Sequence, residues 1–144
     1  MTDLEHNKAV VEEFDAILNT HDLSRLDALC TQDMVNHALA SGRPQGLEGT
    51  REFLASSFGS RFASDGWREV NVIAEGDYVI QHGVRGGMWP GGPFLGFDAE
   101  PGEYAREVAF VYRLENGKIA ERWAIRDDLT MLRQLGALPE NPAG

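Results

Sequence analysis

YAREVAFVYRLENGKIAERWAIRD, residues 104–127, is the stretch that decides the fold. Val108, Phe110 and Tyr112 alternate with polar or small neighbours, a period of two that is typical of a half-buried β-strand. The Glu-Asn-Gly sequence at 115–117 signals a tight turn, because Asn and Gly accept a positive φ at little cost. The stretch therefore predicts an antiparallel hairpin with strands at residues 104–114 and 118–127.

A second hairpin precedes the first along the chain. Residues 67–74 and 78–88 also alternate with a period of two, and the Glu-Gly-Asp sequence at 75–77 predicts the turn between them. The following residues, 86–102, are rich in Gly and Pro but carry Trp89 and Phe94. A connection of this length indicates either a cover over a ligand pocket or a subunit interface.

The residues outside the hairpins show helical periodicity. It predicts an amphipathic helix over 3–19, a second helix capped by Asp22 and ending near 31–32, a third over 47–58, and a last short helix over 128–135 closed by Gly136. Helices followed by hairpin-linked strands, without βαβ alternation, predict an α+β fold with helices on one face of an antiparallel sheet.

Composition narrows the class of protein. The 144 residues are 42% hydrophobic and 25% charged, as expected for one globular domain over residues 1–144, with a mobile tail at 137–144. The formal net charge of −10 argues against nucleic acid and membrane partners. A single cysteine, Cys30, and the lack of an apolar leader or spanning segment predict a cytoplasmic protein.

No pattern for a cofactor or a metal is found. The four histidines are dispersed, and no HExxH or related ligand spacing occurs. The Gly pairs at 86–87 and 91–92 do not open a helix, as a phosphate-binding loop must. We therefore expect neither a cofactor nor a bound metal.

The strand at 118–127 carries the main functional hypothesis. Strict alternation places one set of side chains on one face of the sheet, which we take as the inward face: Ile119, Glu121, Trp123, Ile125 and Asp127. A carboxylate beside apolar side chains has a raised pKa and suits general acid/base catalysis. Asp127 also directly precedes a helix, so it is either such a base or a helix cap. For Glu121, nearer the turn, a salt bridge is the preferred interpretation, and Asp128 is interpreted as a first-turn acid of the helix.

Three further residues are candidates for the site. His37 offers a titrating ring and Asn36 an amide that can orient a substrate carbonyl. His82 alternates with Ile80 and Val84 and shares their face. Each of the three also has a purely structural interpretation, as a side chain held by hydrogen bonds.

The chain resembles the SnoaL-like polyketide (ester) cyclases. The resemblance covers nearly all of it and is carried by the Val-Asn-His sequence at 35–37, the Phe-Leu-Gly sequence at 94–96, residues 116–123 with Asp127 four residues later, and residues 132–136. It implies a nuclear transport factor 2-like fold, a cone of helices on a strongly curved antiparallel sheet. It also implies a pocket for an apolar small molecule, cofactor-free aldol ring closure, and a homo-oligomer, most often a dimer.

The same resemblance assigns roles to residues. It implies that Asp127 is the acid/base, that His37 and Asn36 border the pocket and that Trp123 is a wall residue. We add His37 as a second catalytic group, and His82, Trp89 and Phe94 as substrate-binding residues. Relatives often carry a histidine in the loop before the Phe-Leu-Gly segment and another at the position of Arg122. Because strict alternation turns Arg122 outward, we expect that second change to be mild. A non-catalytic binding protein and another acid/base enzyme, such as an isomerase, epoxide hydrolase or hydroxylase, are the alternatives.

Overall fold

The computed structural model describes residues 3–58 and 66–139. The helices are α1 (Asp3–Thr20), α2 (Leu26–Leu29), α3 (Gly46–Ser57) and α4 (Asp128–Gln134). The strands are β1 (Cys30–Asn36), β2 (Gly66–Glu75), β3 (Tyr78–Trp89), β4 (Gly92–Phe94), β5 (Phe97–Ala99), β6 (Gly102–Glu115) and β7 (Lys118–Arg126). The α+β class, the early helices and the short last helix are confirmed.

One curved sheet carries the fold, in the strand order β1-β7-β6-β3-β2. The two predicted hairpins, β2–β3 and β6–β7, are both present and antiparallel. Asn116 and Gly117 have φ values of 50° and 78°, as the turn between β6 and β7 requires. The sheet is mixed, however, since β1 lies parallel to β7. The expectation of a wholly antiparallel sheet is therefore wrong at this edge.

The edge strand β1 is absent from the sequence-based prediction, in which its first residues end the second helix near 31–32 and the rest show no clear period. Helix α2 stops at Leu29, and Cys30 has extended backbone angles of −129° and 149°. Parallel pairing with β7 joins Cys30 to Ile119 and Asn36 to Arg122. The hydrogen bonds of this pairing come from a distant part of the chain, and they outweigh the weak local preference for helix.

A β-bulge in β7 changes which side chains face inward. Leu114 pairs with Ile119, but the next residue back, Arg113, pairs with Glu121, so Ala120 is an extra residue without a partner in β6. Ile119 is fully buried, as predicted. Beyond the bulge the alternation inverts, and Arg122, opposite the buried Tyr112, lies on the inner face.

The main core lies between α1, α3 and the inner face of the sheet, the face toward these helices. It joins the predicted apolar face of α1 to inward residues of β6 such as Val108, Phe110 and Tyr112. A smaller core lies where the β4–β5 hairpin meets α4 and contains Trp89, Phe94 and Tyr104. The predicted helix break after residue 58 and most of the predicted mobile tail fall in 59–65 and 140–144, outside the described residues.

Candidate functional site

A cavity of about 470 Å³ opens between α1, α3 and the inner face of the sheet. This volume is in the range of pockets that hold drug-sized ligands. Much of the wall is apolar and comes from every layer of the fold: Phe14, Leu18, Ala38, Phe53, Leu54, Phe94, Leu95, Phe110 and Ala124. The remaining lining residues include six charged side chains, which distinguish this cavity from a simple hydrophobic pocket.

The charged residues of the wall are four arginines and two aspartates: Arg85, Arg106, Arg122, Arg126, Asp15 and Asp128. They give the cavity a formal excess of two positive charges in a chain whose net charge is −10. A positive excess around a low-dielectric cavity favours anionic ligands, although the two aspartates reduce the effect. The cavity is therefore electrostatically unlike the surface of the protein.

Asp15 and Arg85 form one partly buried ion pair. Helix α1 brings the Asp15 carboxylate to 3.0 Å from a guanidinium nitrogen of Arg85 on β3, and their side chains are 16% and 12% exposed. Burial raises the pKa of Asp15 above its ordinary value, although the charges of Arg85 and Arg122 and the Arg85 hydrogen bond act in the opposite direction. Asp15 is thus a partly desolvated carboxylate on a cavity wall that carries both apolar and charged side chains.

A second ion pair links Arg106 to Asp128. The Arg106 guanidinium donates to the Asp128 carboxylate, and Arg126 lies 3.8 Å from the other oxygen of that carboxylate. Arg106 is directly opposite Arg85 in the β3–β6 ladder, where two like charges repel. The carboxylates from α1 and α4 offset this repulsion, one for each arginine. The interpretation of Asp128 as mere helix decoration is therefore wrong.

Arg122 is one of the two buried arginines of the wall, since it is 8% exposed and Arg106 is 6% exposed. Its guanidinium carbon lies 4.8 Å from the centre of the Phe110 ring, 5.5 Å from that of Phe14 and 5.6 Å from that of Tyr112. The Tyr112 hydroxyl accepts a long hydrogen bond of 3.4 Å from Nε. The expectation that Arg122 points outward is wrong, because the bulge at Ala120 turns it into the cavity.

Asp127 does not line the cavity, so the placement expected for it is wrong. It is exposed at the N-terminus of α4, where its two oxygens accept hydrogen bonds from the Thr130 amide (3.1 Å) and the Thr130 hydroxyl (2.6 Å). These bonds lower the pKa of Asp127. Of the two interpretations left open, the helix cap is the one that the structure supports.

His37 and Trp123 lie together on the outer face of the sheet, opposite the cavity. Their rings stack with centres 5.0 Å apart, and His37 Nε2 lies 2.7 Å from the Glu121 carboxylate. Glu121 also accepts a hydrogen bond from Arg113 at 3.1 Å, which confirms the predicted salt bridge. The His37 bond, followed by the Arg113 bond, lowers the pKa of Glu121. This group is an exposed polar network rather than a part of the cavity wall.

Asn36 and His82 also lie away from the cavity wall. The Asn36 amide donates to the Thr50 hydroxyl at 3.2 Å and accepts from the Ala38 amide at 3.0 Å, which joins β1 to α3. His82 is on the outer face, with Asn71 at 3.1 Å and Glu107 at 3.3 Å. Both side chains are held by polar contacts with neighbouring residues, which is the structural interpretation that was the alternative to a site role.

The loop between the hairpins contributes one of its two candidate side chains. Phe94, at the end of β4, lines the cavity, and the neighbouring Leu95 is left-handed, with a φ of 53°. Trp89 is buried in the smaller core and donates from its indole nitrogen to the Gly92 carbonyl at 3.2 Å. The hairpin thus covers part of the cavity, as one interpretation of this loop predicted.

Sequence reasoning missed Asp15 and the arginines of the wall. Asp15 stands between Phe14 and Ala16, next to the apolar stripe of α1, and nothing in the periodicity of the helix indicates a site role for it. A signal was available in β6, where Arg106 continues the buried series of Val108 and Phe110. A charged residue at an apolar position of an alternating strand is the mark of a polar cavity wall.

Other chemistries find little support among the described residues. Burial raises the pKa of the Cys30 thiol to about 12, which leaves it unreactive at neutral pH. Within residues 3–58 and 66–139, no three His, Cys, Asp or Glu side chains are grouped to hold a metal ion. None of the helices in these ranges is long and apolar enough to span a membrane.

The model of the SnoaL-like polyketide cyclase family matches residues 8–135 of this chain. The chain belongs to that family. Among curated proteins no match is found. Among solved structures, TsrD from Streptomyces laurentii is 25% identical with a TM-score of 0.77, over 96% of this chain and 100% of that one. IdmH from Streptomyces antibioticus, a proposed polyketide cyclase, is 25% identical with a TM-score of 0.72, over 90% and 98% of the two chains.

The fold expected for a SnoaL-like protein is thereby confirmed. AclR from Streptomyces galilaeus, a proposed hydroxylase, shares the fold with a TM-score of 0.72 at 21% identity, over 96% of this chain and 86% of that one. One scaffold thus carries proteins with different proposed reactions, so the reaction must be argued from the cavity itself.

Proposed function

We propose that the cavity binds a mainly apolar carbonyl compound and catalyses a cofactor-independent acid/base reaction on it, with intramolecular aldol cyclisation of a polyketide-like chain as the leading case. Asp15 is the observation that carries this proposal. It is a partly buried carboxylate on the wall of a cavity of about 470 Å³, held 3.0 Å from a guanidinium nitrogen. The base is therefore assigned to Asp15 instead of Asp127.

The proposed reaction uses the two members of the ion pair differently. Asp15 removes a proton from the carbon next to a substrate carbonyl, and an N–H group of Arg85 binds the enolate oxygen. The enolate carbon then attacks a second carbonyl of the same molecule and forms one carbon–carbon bond. Protonated Asp15 returns its proton to the new alkoxide, so no atom is gained or lost.

The raised pKa of Asp15 fits this role. A carboxylate with a higher pKa is a stronger base once ionised, and the charges of Arg85 and Arg122 favour the ionised form against the desolvation that raises the pKa. Turnover should therefore fall as the pH drops through the pKa of Asp15, at a pH above the ordinary carboxyl value of 3.8.

The test is cyclisation of β-dicarbonyl polyketide chains, followed by chromatography and mass spectrometry. Asp15→Asn preserves the shape of the side chain and should lower kcat by about 10²- to 10⁴-fold, the usual contribution of a general base. Asp127→Asn is the matched control and should retain turnover within about twofold, because Asn is also a good helix cap. Undiminished turnover in Asp15→Asn would overturn the proposal, and loss in Asp127→Asn would return the role to Asp127.

A binding protein without catalysis is the second candidate. It is favoured by the Arg85 hydrogen bond, which already occupies one oxygen of the Asp15 carboxylate. In that case a polyketide incubated with the wild-type protein is recovered chemically unchanged although calorimetry shows that it binds.

We also propose a homodimer formed through the outer face of the sheet. Apolar side chains form a row across four strands there, since Ile73 pairs with Ile80, Ile80 with Val111, and Val111 with Trp123. Such a row on a sheet face indicates an interaction surface. Light scattering should give twice the chain mass, and Val111→Lys should give a monomer; a monomeric wild-type protein would contradict this. Cytoplasmic location stays a prediction from the sequence.

A further inference from the structure

We infer that the cavity takes a substrate bearing a carboxylate group, and that Arg122 is the residue that binds it. The inference rests on the proposed function in that the bound compound is taken as the substrate of the Asp15 site. It differs in assigning a binding role to a residue that is not part of the Asp15–Arg85 pair.

The first observation is the contrast between Arg122 and the other arginines of the wall. Arg85 is paired with Asp15, while Arg106 and Arg126 share Asp128. Among the described residues, no carboxylate forms an ion pair with Arg122, and its one hydrogen bond is the 3.4 Å contact to the Tyr112 hydroxyl. Arg122 is thus a cavity-lining guanidinium whose partner is not supplied by these parts of the chain.

The second observation is the burial of Arg122, because a buried charge has lost hydration that other groups must replace. The residue is 8% exposed, and guanidinium groups remain protonated in proteins, so the charge is always present. The rings of Phe14, Phe110 and Tyr112 around it contribute cation–π attraction, which offsets only a part of the lost hydration. An anionic group entering the cavity would supply the missing hydrogen-bond acceptors.

The surroundings favour a carboxylate over other groups. The planar guanidinium fork matches the two oxygens of a carboxylate, and the adjacent rings suit an aromatic or conjugated body attached to it. Asp15 and Asp128 lie on the same wall, so a dianion such as a phosphate monoester meets more repulsion than a monoanion does. A neutral ester or amide would leave the Arg122 guanidinium without an anionic hydrogen-bond acceptor.

The test compares three probes that share one apolar body: 2-naphthoate, 2-naphthamide and 2-naphthyl phosphate, each titrated into the full-length protein by calorimetry at pH 7. We expect 2-naphthoate to bind about tenfold to a hundredfold more tightly than the amide, the range for a hydrogen bond to a charged group. The phosphate should bind more weakly than the carboxylate. Equal affinity for carboxylate and amide, or a preference for the phosphate, would overturn the inference.

Arg122→Gln should abolish the preference for the carboxylate and leave the affinity for the amide within about threefold, because Gln keeps polar groups at the site without the charge. Arg25→Gln is the matched control: it removes the same charge from a side chain that is 61% exposed. It should retain the wild-type preference. If Arg122→Gln fails to fold, Arg122→Lys replaces it and should weaken 2-naphthoate binding, because Lys has no planar fork. An unchanged preference in a folded Arg122 variant would overturn the inference.

The same titrations separate this inference from the catalytic proposal. Asp15→Asn should bind 2-naphthoate at least as tightly as the wild type, because it removes a negative charge from the cavity. If the wild type prefers the carboxylate and Asp15→Asn still turns over, the inference stands and the catalytic assignment of Asp15 is overturned. If the wild type shows no such preference and Asp15→Asn loses turnover, the inference is overturned and the catalytic assignment stands.

Discussion

Removing one member of the Asp15–Arg85 pair should destabilise the fold far more than removing both. The two side chains are 16% and 12% exposed and their charged atoms are 3.0 Å apart. Loss of one partner from a buried pair costs about 3–5 kcal/mol, since the other charge is left without compensation. Arg85 also lies 5.2 Å from the centre of the Trp67 ring. That contact persists in Asp15→Ala and still stabilises the Arg85 charge, so we expect this substitution to cost about 3 kcal/mol, the lower end of the range.

The stabilities of the two single variants should depend differently on pH. Arg85 stays charged in Asp15→Ala at any pH that the protein tolerates, whereas Asp15 can accept a proton in Arg85→Met. Removal of Arg85 also removes the largest of the influences that lower the pKa of Asp15, so that pKa rises further. Between the wild-type pKa of Asp15 and the higher pKa of the variant, Asp15 is protonated in the folded variant but ionised in the folded wild type and in the unfolded chain. The cost of Arg85→Met therefore grows with pH across this interval, by up to about 1.4 kcal/mol per unit.

The assay is urea denaturation followed by circular dichroism at pH 5 and pH 8, for the wild type, both single variants and Asp15→Ala/Arg85→Met. We expect the double variant to be more stable than Asp15→Ala alone at both values of pH. Single-variant effects that add within about 0.5 kcal/mol would refute the coupling. An Arg85→Met cost that does not rise with pH would refute the assignment of Asp15 as its titrating partner.

Three further predictions concern residues outside this pair. Asp127→Ala should lower the free energy of unfolding by about 1 kcal/mol and Asp127→Asn by less, as expected for a helix cap. Because the pKa of Asp127 is lowered in the folded protein, the difference between Asp127→Ala and the wild type should shrink in thermal melts below pH 3.8. Gly83→Ala should cost about 1–3 kcal/mol in urea, since its Cβ would lie 2.6 Å from the Trp67 ring, whereas Gly66→Ala meets only ordinary contacts. The Cys30 thiol should react with a chromogenic disulfide reagent in urea but not in the folded protein, and rapid reaction without urea would contradict its burial.

The inverted face of β7 shows why the site was harder to predict than the fold. Ile119 and Ala120 are both apolar and both buried, so either of them fits the inner face by its character alone. Only the partners in β6, Leu114 for Ile119 and Arg113 for Glu121, identify Ala120 as the extra residue. A bulge of one residue then exchanges the two faces, and with them the roles expected for Arg122 and Asp127.

The sequence by itself determined the two hairpins, the long helices and the family, because turn residues, periodicity and a characteristic run of residues are local properties. It did not determine the edge strand β1, the bulge in β7 or the partners of the buried arginines. Those features depend on hydrogen bonds and ion pairs between segments far apart in the chain, as in the pairing of Asn36 with Arg122 and of Asp15 with Arg85. The chemistry of the cavity was therefore decided by tertiary structure, since the bulge in β7 turns Arg122 inward and carboxylates from distant helices pair with Arg85 and Arg106.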